Sequence, residues 1–158
     1  MAIALRPCAM CRGAVELVKI AKVAGEADPL TLTAHGMPAL KCAKGHARPV
    51  HPDFLLWLLG ELREREAGLP AGEGKGLVFK KYFCECGKGL PAKPEKRRAF
   101  PFDLGYPDAP AFQVELEAPL YKCPGCGKEQ LRSLSEVRKL LSLAMVGICD
   151  RAGFPHSG

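Results

Sequence analysis

Apolar residues recur along this chain at two intervals, one typical of strands and one typical of helices. Every second residue from Phe112 to Leu116 is apolar, which predicts a β-strand with one buried face. Segments 30–34 and 77–83 also favour strands, whereas segment 14–23 fits a strand and a short helix about equally well. The pattern therefore predicts a mixed architecture of short strands and helices.

Two longer segments have apolar residues three and four positions apart, which predicts amphipathic helices. In the second half, Ser133 and Glu136 have the spacing of a capping box, and the apolar periodicity continues to about Arg151. In the first half, Pro52 suits the first position of a helix, and Trp57 lies beside the apolar face that follows. We expect each helix to cover a small sheet.

A stretch rich in glycine and charge separates these patterns into two halves. It lacks apolar periodicity, so we predict a linker over 67–76. The predicted fold class is small α+β, with one unit at 1–66 and another at 77–158 that each contain a short antiparallel sheet followed by an amphipathic helix. Units of this size rarely bury enough apolar surface to be stable without a metal or disulfide staple.

Eight residues that can bind metal occur in four close pairs, and their spacing is typical of structural zinc sites. The pairs are Cys8 and Cys11, Cys42 and His46, Cys84 and Cys86, and Cys123 and Cys126. The start of the chain does not resemble a signal peptide, so we expect a cytoplasmic protein with reduced thiols rather than four disulfides. The expected cofactor is Zn²⁺, with two ions per chain.

The site with three cysteines has two candidates for its fourth ligand. His46 is preferred because it follows Gly45 and mirrors Cys126 of the second half, whereas His51 precedes Pro52 and suits the entry to the helix. At the site with four cysteines, iron is an alternative to zinc because ligand softness does not separate these two metals.

The two halves resemble each other and a known fold. Residues 38–46, PALKCAKGH, align with residues 119–126, PLYKCPGC, and a helix follows both, which indicates an internal repeat. Glycine after the second ligand of CPGCGK permits the tight turn of a zinc knuckle, and FCECGKG is one spacer residue shorter. The second half therefore resembles a zinc ribbon, the rubredoxin-like two-knuckle fold. The first half resembles a variant in which C-A-K-G-H is the second knuckle, and the resemblance implies a fold but no activity.

We expect no enzymatic activity. Each predicted site has four protein ligands, whereas a catalytic zinc keeps one position open for water or substrate. The enzymatic alternative is thiol redox chemistry at Cys8 and Cys11, whose CxxC spacing is that of thioredoxin-like enzymes. Those enzymes place a strand before the motif, and only seven residues precede Cys8. Cys149 is expected to be an inert buried thiol.

The formal net charge of +6 is concentrated in one segment. Residues 75–98 contain eight basic and two acidic side chains, and they overlap a basic insert at 87–111 that is predicted to be a long loop. Basic residues beside aromatic residues are typical of surfaces that bind single-stranded nucleic acid. The competing interpretation is a solvated basic run with aromatic rings that pack over the sheet. The candidate nucleic-acid-binding residues are Lys93, Lys96, Arg97, Arg98, Phe100 and Phe102.

The sequence therefore predicts a non-catalytic zinc-binding module that contacts RNA or DNA through the basic insert. The alternative is a protein–protein interaction or assembly factor that docks a partner on the apolar face around Trp57. No apolar run reaches the roughly 18 residues that cross a membrane, because Glu61 and Arg63 interrupt the longest candidate. We expect a soluble protein without membrane contact.

Overall fold

The computed structural model describes residues 3–76 and 80–155, which form eight strands and two helices. The first half contains β1 (Val15–Ala27), β2 (Leu30–Cys42), β3 (Ala47–Arg48) and α1 (Phe54–Glu66). The second half contains β4 (Glu73–Lys75), β5 (Lys81–Phe83), β6 (Lys96–Leu104), β7 (Phe112–Lys122), β8 (Glu129–Gln130) and α2 (Leu134–Ala152). The fold is small α+β, with an antiparallel sheet and two helices. Neither helix in these ranges is long and apolar enough to cross a membrane.

The long strands of both halves join in one antiparallel sheet in the order β1-β2-β7-β6. Hairpins β1-β2 and β6-β7 form its two sides. At the centre, β2 pairs with β7 from Thr31 opposite Glu117 to His35 opposite Gln113. Strands β3 and β8 extend β2 and β7, while β4 and β5 form a separate ribbon. The halves are therefore joined by backbone hydrogen bonds between strands that are distant in sequence.

The elements occur in the same order in both halves. After β1, β2, β3 and α1, the elements β6, β7, β8 and α2 begin 81, 82, 82 and 80 residues later, respectively. Each helix contacts strands of the other half, because α2 packs on β1 and β2 and Phe54 and Trp57 of α1 contact Phe112 of β7. One hydrophobic core contains residues of both halves.

Glycine permits a close approach of α2 to the sheet. A Cβ atom at Gly25 of β1 would lie 1.9 Å from the carbonyl oxygen of Ala144, and a Cβ atom at Gly147 of α2 would lie 3.1 Å from the Cα of Gly25. The backbones of strand and helix are therefore in direct contact. An ion pair fixes α1 to α2, because Arg138 Nε donates to Oε1 of the fully buried Glu66 at 2.7 Å.

Strand predictions were partly resolved by the tertiary structure. The ambiguous segment 14–23 lies mostly in β1. Of the predicted strand 77–83, residues 77–79 lie outside the described residues and the remainder contains β5. The basic insert is not a long loop, because residues 96–104 form β6 and pair with β7. Its strand was missed because Pro101 and the charged residues obscure the alternation of buried residues.

Helix α2 begins after Ser133 as predicted, but the predicted capping box and the predicted first residue of α1 were wrong. The side chain of Ser133 forms no capping hydrogen bond, and the carboxylate of Glu136 accepts hydrogen bonds from Arg132 instead. Helix α1 begins at Phe54 after Asp53, so Pro52 lies before the helix. The apolar periodicity therefore located both helices, but it did not predict the hydrogen bonds at their first turns.

Candidate metal centres

The predicted metal ligands converge into two clusters. Site 1 contains Cys8, Cys11, Cys42 and His46, and site 2 contains Cys84, Cys86, Cys123 and Cys126. Within each site, all four ligand atoms lie within 4.8 Å of one another. All eight cysteines of the chain are free thiols. Both clusters can therefore hold a metal ion.

The ends of the two hairpins position the clusters. Site 1 joins the segment before β1 to the end of β2, where Val15 pairs with Cys42. Site 2 joins the turn after β5 to Cys123, which directly follows β7. Because β2 and β7 are antiparallel neighbours in one sheet, the two sites lie at opposite ends of that sheet.

Ligand separations in site 1 match the edges of a coordination tetrahedron. His46 Nδ1 lies 3.4 Å from Cys42 Sγ and 3.6 Å from Cys8 Sγ, and the sulfurs of Cys11 and Cys42 are 3.7 Å apart. Four ligands at a bond length of about 2.3 Å have edges of about 3.8 Å, and a shorter metal–nitrogen bond reduces this value. One ion at the centre would therefore reach all four atoms.

Site 2 has the same dimensions. The sulfurs of Cys84 and Cys126 are 3.6 Å apart, and those of Cys86 and Cys123 are 3.5 Å apart. A disulfide would bring two sulfurs to about 2.05 Å. The one-residue spacer between Cys84 and Cys86 therefore still permits a tetrahedral arrangement.

His46 occupies the fourth position of site 1, as preferred from the sequence. His51 has a different partner, because its Nδ1 lies 2.6 Å from Oδ1 of Asp53. The remaining described histidine, His35, lies 3.7 Å from a carboxylate oxygen of Glu115 on the neighbouring strand. Neither of these histidines belongs to a described metal cluster.

A tight turn carries each ligand pair. The left-handed residue in each turn donates its N–H to the carbonyl oxygen of the first cysteine at 2.7–3.0 Å. Glycine adopts this conformation without steric cost, and it occupies three of the four turns. In the first turn an arginine adopts the same conformation, which is unfavourable for a residue with a side chain. The four residues are Arg12 (φ 61°), Gly45 (φ 90°), Gly87 (φ 93°) and Gly127 (φ 76°).

Hydrogen bonds separate the pKa values of the thiols in site 2. The N–H of Cys86 and the side chain of Gln130 lower the pKa of Cys84 to about 6. The N–H of Lys88 also lowers the pKa of Cys86, but contacts with other sulfurs, first that of Cys123, raise it to about 11. One thiol thus ionises readily while its neighbour resists a second negative charge. A bound cation would remove this repulsion and favour the fully ionised set.

Gln130 supports site 2 from behind and was not predicted from the sequence. This fully buried side chain donates from Nε2 to the Cys84 sulfur at 3.2 Å and to the carbonyl oxygen of Lys128 at 3.4 Å. Such outer hydrogen bonds orient a ligand and stabilise its charge. No sequence signal marks Gln130, because its role depends on the pairing of β8 with β7 opposite Tyr121.

Two of the four predicted basic residues are paired with acidic side chains. Lys96 Nζ lies 2.8 Å from Glu129 Oε2, and Arg97 Nε donates to Glu117 Oε1 at 2.8 Å. All four side chains of these pairs are at least one-third exposed. The pairs are therefore weak surface interactions that a phosphate group can replace.

The two predicted stacking residues of the insert, both phenylalanines, are not available for base stacking. Phe100 and Phe102 are only 8% and 9% exposed and belong to the hydrophobic core, so their assignment to nucleic-acid contact is corrected. Arg98 lies 5.3 Å from the ring centre of Phe100. Lys93 is exposed, and neither Lys93 nor Arg98 forms an ion pair within the part of the chain that the structure describes.

The predicted docking residue Trp57 packs mainly against other aromatic rings. Its ring centre lies 5.6 Å from that of Phe54, 5.1 Å from that of Tyr106 and 6.3 Å from that of Phe112. The most exposed apolar side chain of α1 is Leu56, at 76%. The face around Trp57 is therefore partly covered by the protein itself.

Each cluster offers four protein ligands, which completes the coordination of a tetrahedral ion. No protein-family model, curated protein or solved structure in the comparisons matches this chain. The function is therefore inferred from the clusters and surfaces of the molecule.

Proposed function

We propose that this protein is a non-catalytic zinc-binding module whose two metal centres stabilise a sheet that presents basic residues to nucleic acid. The spacing of the ligand atoms, 3.4–3.7 Å for the pairs in contact, carries the proposal of zinc binding. Thiolate and imidazole are common ligands of structural zinc. Four protein ligands leave no coordination position for water or substrate, which supports a structural role.

The matching order of elements in the two halves supports one zinc ion per half. Strands β1 and β6 begin 81 residues apart. At the junction of the halves, Thr33 pairs with Glu115 and Ala34 pairs with Val114. With an offset of 81 residues, Val114 is the counterpart of Thr33 and Glu115 is the counterpart of Ala34. Each residue therefore pairs with the counterpart of its neighbour, so a local twofold axis relates the two central strands. This symmetry is expected if one strand–strand–helix unit was duplicated.

Native mass spectrometry tests the metal content directly. We expect two zinc ions per chain, and Cys84→Ser should lose one of them because it removes a ligand of site 2. Cys149→Ser is the matched control, since Cys149 lies outside both clusters on α2 and burial raises the pKa of its thiol. A wild-type chain with fewer than two metal ions, or with iron at site 2, would overturn the assignment of two zinc centres.

Basic residues on β6 and just before it support contact with nucleic acid. Strand β6 is an edge strand, and residues 93–99 are all exposed. Lys93 and Arg98 lack an ion pair among residues 3–76 and 80–155 and can therefore contact phosphates, and Lys122 of the neighbouring strand lies near Glu129 on the same surface. Phosphate contacts dominate the affinity of proteins for nucleic acid and make it salt-dependent.

Charge reversal with a matched control tests this surface. The variant Lys93→Glu with Arg98→Glu should abolish retention of a single-stranded oligonucleotide at low salt, whereas Lys19→Glu with Lys22→Glu should retain it. Both variants change the net charge equally, but Lys19 and Lys22 lie on β1, the opposite edge of the sheet. In the neutral variant Lys93→Gln with Arg98→Gln, which keeps the other basic residues, the slope of log affinity against log salt should be shallower by about 1.4 because two phosphate contacts are lost. Equal effects of the two charge-reversal variants would refute a specific contact surface.

The alternative role as a protein-docking or assembly factor has less support, because Trp57 packs against three other rings. It makes the opposite prediction about salt. Retention of a partner that survives high salt and is lost in Trp57→Ala would favour docking, since apolar contacts are not screened by ions.

A further inference from the structure

A cleft lies near site 1, between the N-terminal segment and the turn that leads into α1. It has a volume of about 310 Å³, which is within the size range of small-molecule sites. Its floor is apolar, because Leu40 and Val50 are 2% and 3% exposed. Arg6, Arg48 and His51 supply polar groups to its walls. The cleft thus combines an apolar base with basic walls.

Backbone hydrogen bonds hold the guanidinium group of Arg48 in place. Its Nη1 donates to the carbonyl oxygen of Pro7 at 3.0 Å, and its Nη2 donates to the carbonyl oxygen of Arg6. A guanidinium group has five N–H donors, so three remain for a ligand. Neither Arg6 nor Arg48 forms an ion pair with a carboxylate in residues 3–76 and 80–155. Two positive charges therefore lack an acidic partner in these ranges.

Asp53 fixes the orientation of His51 at the edge of the cleft. Its Oδ1 lies 2.6 Å from Nδ1 of His51 and accepts a hydrogen bond from the hydroxyl of Tyr106 at 2.5 Å. Because Nδ1 is engaged, Nε2 is the nitrogen of His51 that remains for a ligand. Asp53 itself does not line the cleft.

We infer that this cleft binds a phosphate monoester with a compact apolar body. The planar fork of an arginine matches two oxygens of a phosphate group. A phosphate monoester carries about −1.5 to −2 charges at pH 7, which balances Arg6 and Arg48, whereas a carboxylate balances only one of them. The apolar floor at Leu40 and Val50 accommodates the organic part. The cleft lies at the end of β2 near site 1. The basic residues of β6 begin at Lys96, which pairs with Leu120 near site 2 at the other end of the sheet. The inference therefore does not rest on nucleic-acid binding.

Phenyl phosphate is a suitable probe, with inorganic phosphate and benzoate as comparison ligands. Titration of the zinc-loaded protein, followed by NMR, should give a saturable shift of the His51 ring signals, with phenyl phosphate binding more tightly than either comparison ligand. Arg6→Gln and Arg48→Gln should each weaken binding about tenfold or more, because a hydrogen bond to a charged group is lost. Arg63→Gln, on the exposed surface of α1, is the matched control and should leave binding unchanged.

If Arg48→Gln disturbs site 1, the Arg6→Gln variant decides the outcome. The Arg6→Gln variant keeps the backbone carbonyl of residue 6, which accepts a hydrogen bond from Arg48. No saturable binding of phenyl phosphate would overturn the inference. Binding that is unchanged in Arg6→Gln would overturn it as well, and so would benzoate that binds as tightly as phenyl phosphate.

Discussion

Alanine at Gly25 should destabilise the whole protein, because this residue touches the backbone of α2. A Cβ atom there would lie 1.9 Å from the carbonyl oxygen of Ala144 and 2.9 Å from the amide nitrogen of Ile148. Both atoms belong to the helix backbone, which cannot rotate away as a flexible side chain can. Helix α2 must therefore move by at least about 1 Å to restore a normal contact in the close-packed interior.

The expected loss follows from the extent of the displaced contact. Overpacking of a core costs about 1–3 kcal/mol and occasionally more. We expect about 3 kcal/mol, because α2 packs on both β1 and β2 and its buried residues would move with it. For a chain of this length, each kcal/mol corresponds to about 2–4 °C in Tm, so Tm should fall by about 6–12 °C.

Thermal and urea unfolding, followed by circular dichroism at a constant excess of zinc, would measure this loss. The zinc concentration must be fixed because a ligand of the folded state adds to its stability. Gly60→Ala is the matched control, since a Cβ atom there meets nothing within 4 Å in α1. That change should stabilise the protein by about 0.5–1 kcal/mol. A Gly25→Ala protein that is destabilised by less than about 1 kcal/mol would refute the close crossing of α2 over β1.

Four further predictions concern single residues. Arg12 has a left-handed φ of 61°, so Arg12→Gly should raise the free energy of unfolding by about 0.5–1 kcal/mol; an unchanged urea midpoint would contradict this. Arg138→Ala leaves the buried carboxylate of Glu66 without its partner and should lower the free energy of unfolding by about 2 kcal/mol. Adding Glu66→Gln to this variant should recover part of the loss, and a double-mutant cycle in urea unfolding measures both effects. The hydrogen bond from Tyr106 to Asp53 raises the pKa of the tyrosine to about 12. Asp53→Asn should return this pKa toward 10 in an ultraviolet titration, and a titration that does not shift would exclude the hydrogen bond. The same bond lowers the pKa of Asp53 from 3.8, so its stabilising effect should be present at neutral pH and be lost as the pH falls through the lowered value in acid unfolding.

The metal clusters could be predicted from the sequence because most of their geometry is local. Ligands within each pair are separated by at most three residues, and a left-handed residue such as Gly127 completes the turn next to them. Only the combination of two distant ligand pairs into one site depends on the fold, and the spacing of the pairs along the sequence already favoured the observed combination. Gln130 could not be found in this way, since a buried glutamine behind Cys84 has no local signature.

Periodicity predicted the helices and the strand after Phe112, but it did not predict how exposed particular residues are. The run from Lys96 to Phe102 contains basic and aromatic side chains that suggest a nucleic-acid surface. Pairing of β6 with β7 places Phe100 and Phe102 in the core and leaves the basic residues outside. The basic side chains therefore remain candidates for binding, and the rings do not.

The sequence by itself determined the ligand pairs, their turns and the approximate helices, because these depend on residues within a few positions of one another. Only the tertiary structure decided that β2 pairs with β7, that α2 crosses β1 at Gly25, and that Arg6 and Arg48 face one cleft. These contacts join segments far apart along the chain, and they form because each half has an apolar face that the other half covers. Such complementarity is a property of two surfaces, so a one-dimensional pattern in either half does not specify it.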